Sequence, residues 1–362
     1  MNKISTKHLM LFFIGAFFIS IKTYPSLFIK LGGRDTWICA IIASILFLLY
    51  ALYLMHIMKK HKTYNLINIF KSAASSPIGM FLISIFAFNL FLSSIESAAV
   101  YSNVLKVQYF SDTPVWYIVA LFLIPSVLIL KKDIRTLCTF VIVSISLLIL
   151  NTFVFLVLVE PYKDLNFIMP VMANSINIDF VKCTLTIFFS FCSFAIALPF
   201  MKYLNNGNYL KKHTFLSLSI SLTIIVFCIS GIIAYFGPDR AINLLYAEAI
   251  QGQRIDMAGF VEFGELFFIF QTVIGFLIKY ILSSFAFMCL FKKLLENRFL
   301  FILIYTFLTF SISTLISMNN YYLSQFLGIY NIINGIIFFV VPFILFTIFN
   351  FKSSKNYKTF TK

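Results

Sequence analysis

Three ionisable residues stand inside long apolar runs of this 362-residue chain: Lys22, Glu96 and Lys279. A charge in hydrocarbon is costly unless water, a partner charge or a bound solute meets it, so intramembrane ionisable residues usually mark binding sites or ion paths. Around Lys22 the chain reads Gly15-Ala16-Phe17-Phe18-Ile19-Ser20-Ile21-Lys22-Thr23-Tyr24-Pro25, where Ser20 and Thr23 add hydroxyls. Pro25 disfavours helix at Tyr24 and cannot donate to the preceding turn. A second polar stretch ending in proline is Ser190-Phe191-Cys192-Ser193-Phe194-Ala195-Ile196-Ala197-Leu198-Pro199. Interrupted membrane helices leave backbone groups free to hold a small solute. The candidate substrate-binding residues are therefore Ser20, Lys22, Thr23, Glu96, Ser190, Ser193 and Lys279. The competing reading of each charged residue is a side chain at a span edge that snorkels to water.

Composition dictates the elements that must position these groups. The chain is 61% hydrophobic and 11% charged, with 47 Phe, whereas a soluble domain carries about 25% charged residues. One core could not hide so much apolar surface from water, which leaves the bilayer as solvent. There, only helices and closed barrels satisfy every backbone group. Barrel strands alternate apolar and polar residues; runs such as Val141–Leu150 and Ile332–Phe349 lack that alternation and are too long for a strand. Runs long enough to span fall near 8–29, 36–57, 78–101, 114–130, 137–159, 180–201, 214–236, 262–290, 299–317 and 325–350. The chain thus reads as an all-α polytopic membrane protein of about ten transmembrane helices, a single domain over 1–362. The first run holds Lys22 and lacks a small-x-small cleavage site, so it reads as a span rather than a signal peptide.

Charge gives the spans direction. With the N-terminus inside, the inner segments hold 19 of the 28 Lys and Arg, while Asp133 and Glu296 are the acids that fall there. This is the positive-inside pattern, and it places both N- and C-termini in the cytoplasm. The net charge of +15 is then a topology signal, and nucleic-acid binding is excluded because the basic residues are split among six short segments. Spans one and six run in opposite directions and occupy corresponding places if ten spans divide five plus five. That predicts an inverted repeat, approximately 8–159 and 180–350, with its site near the membrane midplane.

Depth along regular helices predicts the pairing. Lys22 and Glu96 lie seven and five residues before the expected outer ends of their spans, about 3 Å apart in depth at 1.5 Å per residue. Lys279 lies ~15 Å deeper, so a Lys22–Glu96 pair is expected at a cavity open to the outside. The outer segment Gly237–Phe260, which mixes apolar and charged residues, is expected to form a short helix on the outer face. The six cysteines lie in or beside apolar runs without a C-x-x-C, and the four histidines stand near lysines at helix ends without ligand spacing. Both read as structural, and neither a metal nor a cofactor is expected. No nucleophile–base set or phosphate loop appears, so an enzyme is not expected.

The opening of the chain resembles a known family. Pro25-Ser26-Leu27, followed by Leu31-Gly32-Gly33-Arg34-Asp35-Thr36-Trp37-Ile38, is similar to the B subunit of spore germinant receptors, with Thr36 where that family usually has Ala. Asn166-Phe167-Ile168-Met169-Pro170-Val171, Leu198-Pro199-Phe200 and the loop ending Gln253-Arg254-Ile255-Asp256 extend the resemblance. Read without the family, the first block is an outer loop with an interfacial Trp anchor. The resemblance implies membership of the amino acid–polyamine–organocation transporter superfamily and its five-plus-five fold. It also implies a sensor of a small-molecule germinant, often an amino acid, in the inner membrane of a dormant spore. The implied partners are an A-type membrane subunit and a C-type lipoprotein. Relatives often carry glycine in the first-span break, where this chain has Phe18 and Ser20, so the ligand need not be the family's common one. The alternative on the same fold is a secondary permease for amino acids or polyamines, and a third is a scaffold or ion conduit without a ligand site.

Overall fold

The computed structural model describes residues 4–172, 177–257, 261–291 and 297–360, apart from the side chains of residues 20–21, 256–257, 261–262 and 355–360. Among the described residues, eight helices are long and apolar enough to cross a membrane, and two shorter apolar helices accompany them. Large apolar side chains such as Phe81, Phe153 and Phe307 are about two-thirds exposed, as expected where lipid replaces water. The protein is an integral membrane protein built almost wholly of helix. The described exception is a two-stranded hairpin, Asp256–Met257 with Val261–Glu262.

The first expected span is three helices: α1 (Thr6–Phe17), α2 (Ser20–Thr23) and α3 (Pro25–Gly32). One break is at Tyr24, before the proline, as the sequence requires. Another, at Phe18–Ile19, has no proline to announce it. Then come α4 (Thr36–Lys60), α5 (Leu66–Ala73), α6 (Ser76–Gln108), α7 (Val115–Leu130) and α8 (Ile134–Val159). The sixth segment starts as α9 (Ile178–Phe191) and tightens at Cys192 into a 3₁₀ helix that runs to Tyr203. Such helices rarely exceed three or four residues, and long ones often mark a functional hinge. Beyond it lie α10 (Leu210–Phe236), α11 (Pro238–Ala241), α12 (Ala247–Gln253), α13 (Gly264–Leu290) and α14 (Arg298–Ser317). The last element, α15 (Asn320–Gly335), passes through a π turn into α16 (Val341–Phe360).

Burial separates inner from outer helices. The apolar windows of the sixth segment and α13 are 83% buried, against 33% for α8 and α14, so the former pair forms the centre and the latter pair faces lipid. The two interrupted segments lie side by side and antiparallel. Ahead of α1, Ile4 bonds Tyr203 and Asn205 through backbone hydrogen bonds of 2.8 and 3.0 Å in a single parallel bridge, and the ring contacts beyond it run antiparallel. Phe12 meets Phe200, Phe13 meets Phe194 and Phe17 meets Phe191. Farther along, the Cys183 thiol donates to the Phe28 carbonyl.

The Gly33–Ile38 block is structural in detail. Gly33 turns the chain at φ +53°, a conformation L side chains rarely adopt. Thr36 Oγ1 donates to Gly33 O at 2.7 Å, and the Asp35 carboxylate accepts from the Met172 backbone N–H at 2.9 Å. The two blocks singled out separately in the sequence, around Asp35 and around Pro170, are therefore clasped together.

Candidate functional site

The breaks in the first segment position the charged groups. Between them, α2 turns Lys22 and Thr23 in different directions. Lys22 Nζ meets Glu248 Oε2 of α12 at 2.5 Å, with both side chains almost fully buried. It also lies 4.0 Å from the centre of the Phe268 ring, which adds a cation–π contact. Thr23 Oγ1 donates to Glu96 Oε1 at 3.2 Å. The other carboxylate oxygen of Glu96 lies 2.7 Å from Lys279 Nζ, and neither residue has any accessible surface. By its direction that contact is an ion pair and not a hydrogen bond.

The expected Lys22–Glu96 pair is thus absent, and Glu96 pairs with Lys279. The depth estimate failed because it ended the third span at residue 101, whereas α6 continues to Gln108. Glu96 is then 12 residues, or ~18 Å, from the end of its helix, and Lys279 is 15 residues, or ~22 Å, from Gly264. Those two ends are neighbours, since the Tyr109 and Phe268 rings touch. Glu248, read from sequence only as an outer acid, is the actual partner of Lys22. The segment that carries it does form short helices, but α12 is packed inward instead of lying exposed: Ala247, Glu248, Ala249, Gln251 and Gly252 are buried. Next to it, Tyr246 donates to Asn103 Oδ1 at 2.7 Å, and burial pushes its phenol well above the usual range, which keeps it a donor.

Ser193 is held by α15. Ser193 Oγ accepts from Asn334 Nδ2 of that helix at 3.3 Å, and the Tyr330 hydroxyl contacts Ser93 Oγ at 2.6 Å. Tyr24, at the first-segment break, packs its ring against Phe28. Ser190 donates to Ile187 O of its own helix at 2.7 Å. The Ser20 side chain lies outside the described residues. Asn331 and Asn334 donate to Thr186 O and Phe189 O at 3.0 and 2.8 Å, bracing α9 just before it tightens. Their spacing of three within an apolar run was the available signal. A second cluster joins Ser94 of α6 to Ser283 of α13 and Tyr305 of α14 at 2.9 and 2.6 Å.

The buried site therefore contains two cations and two anions, paired crosswise and lined by hydroxyls. Such a set can recognise a small solute that bears both charges. A solved substrate-bound, outward-open Na⁺-coupled sialic acid symporter matches this fold with a TM-score of 0.60 at 10% identity, over 92% of this chain and 76% of that one. The protein therefore has a transporter fold. No curated protein matches the chain by sequence. Residues 3–323 match the family described as spore germination protein, and the chain belongs to that family. It is a membrane subunit of the germinant-receptor class.

Proposed function

We propose that this subunit binds a small zwitterionic germinant, such as an amino acid, between the first, third, sixth and eighth spans and passes that event to partner subunits. The fold proposed is ten transmembrane helices in a five-plus-five inverted repeat with both ends cytoplasmic. The antiparallel packing of the two interrupted segments supports it. The membrane is that of the dormant spore, and the partners are an A-type membrane subunit and a C-type lipoprotein.

The observation that carries the reading is the crossed pair of buried salt bridges, Lys22–Glu248 and Lys279–Glu96. An uncompensated buried charge is strongly unfavourable. A zwitterion whose carboxylate takes Lys22 and whose ammonium takes Glu96 keeps those two charges paired and releases both of their partners, Glu248 and Lys279, whose opposite charges must then be met by a rearrangement. Glu248 sits on α12, outside the interrupted helices, so its release changes the packing of the outer segment. A ligand shifts such an equilibrium only by binding the two arrangements with different affinity. The test is Glu96→Gln in the complete receptor. The expected result is an altered germinant response with normal assembly, and an unchanged response counts against the proposal. Uptake of labelled amino acid by the protein alone in liposomes would favour the permease alternative. Loss of the chain when the A-type partner is missing would favour the receptor.

A further inference from the structure

Where α4 ends and α10 begins, a groove of about 710 Å³ opens on the lipid-facing surface. Its apolar wall is formed by Leu49, Leu52 and Phe215, and its mouth by His56, Lys211 and Lys212. Leu49 and Phe215 are 61% and 50% exposed. From Leu49 to His56 is about 10 Å along the helix, so the wall descends from the charged mouth into hydrocarbon.

The mouth has no acid of its own. Residues 36–60, 210–236 and 320–360, the helical segments lining the groove, contain no Asp or Glu. Among the described residues, none of the ion pairs involves Lys59, Lys60, Lys211 or Lys212. Lys211 Nζ instead meets His56 Nδ1 at 2.6 Å. Lys59 donates to the Asn208 carbonyl, and Lys60 and His61 share the side-chain oxygen of Asn350 at 3.1 and 2.9 Å. Neutral amide oxygens disperse this charge without balancing it, so the mouth is complementary to an anion.

The geometry points to a binding site for one anionic phospholipid, its phosphodiester between His56, Lys211 and Lys212 and an acyl chain along Leu49, Leu52 and Phe215. Basic pockets between membrane helices recognise anionic headgroups in this way. A free phosphate would have no use for the apolar wall, and an acidic protein segment would engage the mouth alone. The groove shares no lining residue with the buried charge pairs and does not depend on what they bind.

The test uses the purified full-length chain in neutral phosphatidylcholine nanodiscs, with phosphatidylglycerol of the same acyl chains titrated in. Thermal midpoint and lipid retained in native mass spectrometry are the readouts, since a ligand of the folded state raises its stability. Phosphatidylglycerol should stabilise and be retained, whereas added phosphatidylcholine and inorganic phosphate should do neither. K211Q/K212Q should weaken the apparent affinity roughly thirtyfold, at about fivefold per interfacial lysine. K132Q/R135Q, with the same charge removed at another loop, should keep the wild-type response. L49N, an exposed change that leaves the charges in place, should also weaken retention and serves if the double lysine variant does not fold. Equal responses of the two double variants, a phosphate effect equal to the lipid's, displacement of the lipid by an acidic peptide without loss of stability, or an unaffected L49N would each overturn the proposal.

Discussion

Replacing Lys279 by Met leaves the Glu96 carboxylate buried with, among the described residues, the Thr23 hydroxyl as its hydrogen-bond partner. Breaking a buried pair by removing one member costs about 3–5 kcal/mol, whereas replacing both by apolar residues of similar size is often neutral or stabilising. Neither Glu96 nor Lys279 has accessible surface, so contact with bulk solvent does not lower that cost. K279M should therefore lose about 3–5 kcal/mol, and E96L/K279M should recover most of it. Equilibrium unfolding of wild type, K279M, E96L and the double variant in mixed micelles, followed by helical circular dichroism, gives the four free energies needed for the cycle. Germination of spores carrying each variant gives the second readout. If the pair belongs to the binding site, the double variant folds well and responds poorly. A K279M protein as stable as wild type would refute the burial and pairing described. A double variant with full response would show the pair to be a packing element.

Three further outcomes follow from particular contacts. K22E and E248K should each impair the germinant response, and the K22E/E248K swap should restore part of it, because the 2.5 Å contact between them can be rebuilt in reverse; a swap no better than the singles would argue against a direct pair. Gly33→Ala should destabilise by about 1–3 kcal/mol through backbone strain alone, since φ is +53° and no atom lies within 4 Å of an added Cβ; unchanged unfolding would contradict the turn geometry. Tyr246→Phe should cost about 0.5–1.5 kcal/mol for the lost hydrogen bond, with a 2.7 Å partner in Asn103, measured by the same unfolding.

Much of this arrangement was legible in residue types. Phe- and Ile-rich runs specify membrane helices because no other backbone form is satisfied in lipid, and Pro25 marks the bend at Tyr24. What could not be read was where helices stop. Gln108 lies past the apolar run of the third span, in a polar stretch (Ser102, Asn103, Lys106) that a hydropathy reading assigns to solvent. That extension moved Glu96 from the membrane edge to the level of Lys279. The break at Phe18–Ile19 was hidden too, because neither residue is a helix breaker and tertiary packing imposes the turn. Glu248 was hidden by its neighbours: a seven-residue helix in a long charged segment looks like surface until its packing is known. Ser193 lies where the sixth segment changes its winding and bonds Asn334, while Ser190 bonds its own helix.

The most direct test is equilibrium binding of each of the twenty labelled amino acids to the purified full-length chain in nanodiscs, repeated with Glu96→Gln. Saturable binding of one or a few amino acids, weakened at least about tenfold by E96Q, a loss of ~1.4 kcal/mol, is the predicted result. An E96Q protein that binds the same amino acid as tightly as wild type, or a wild-type protein that binds none, would contradict it.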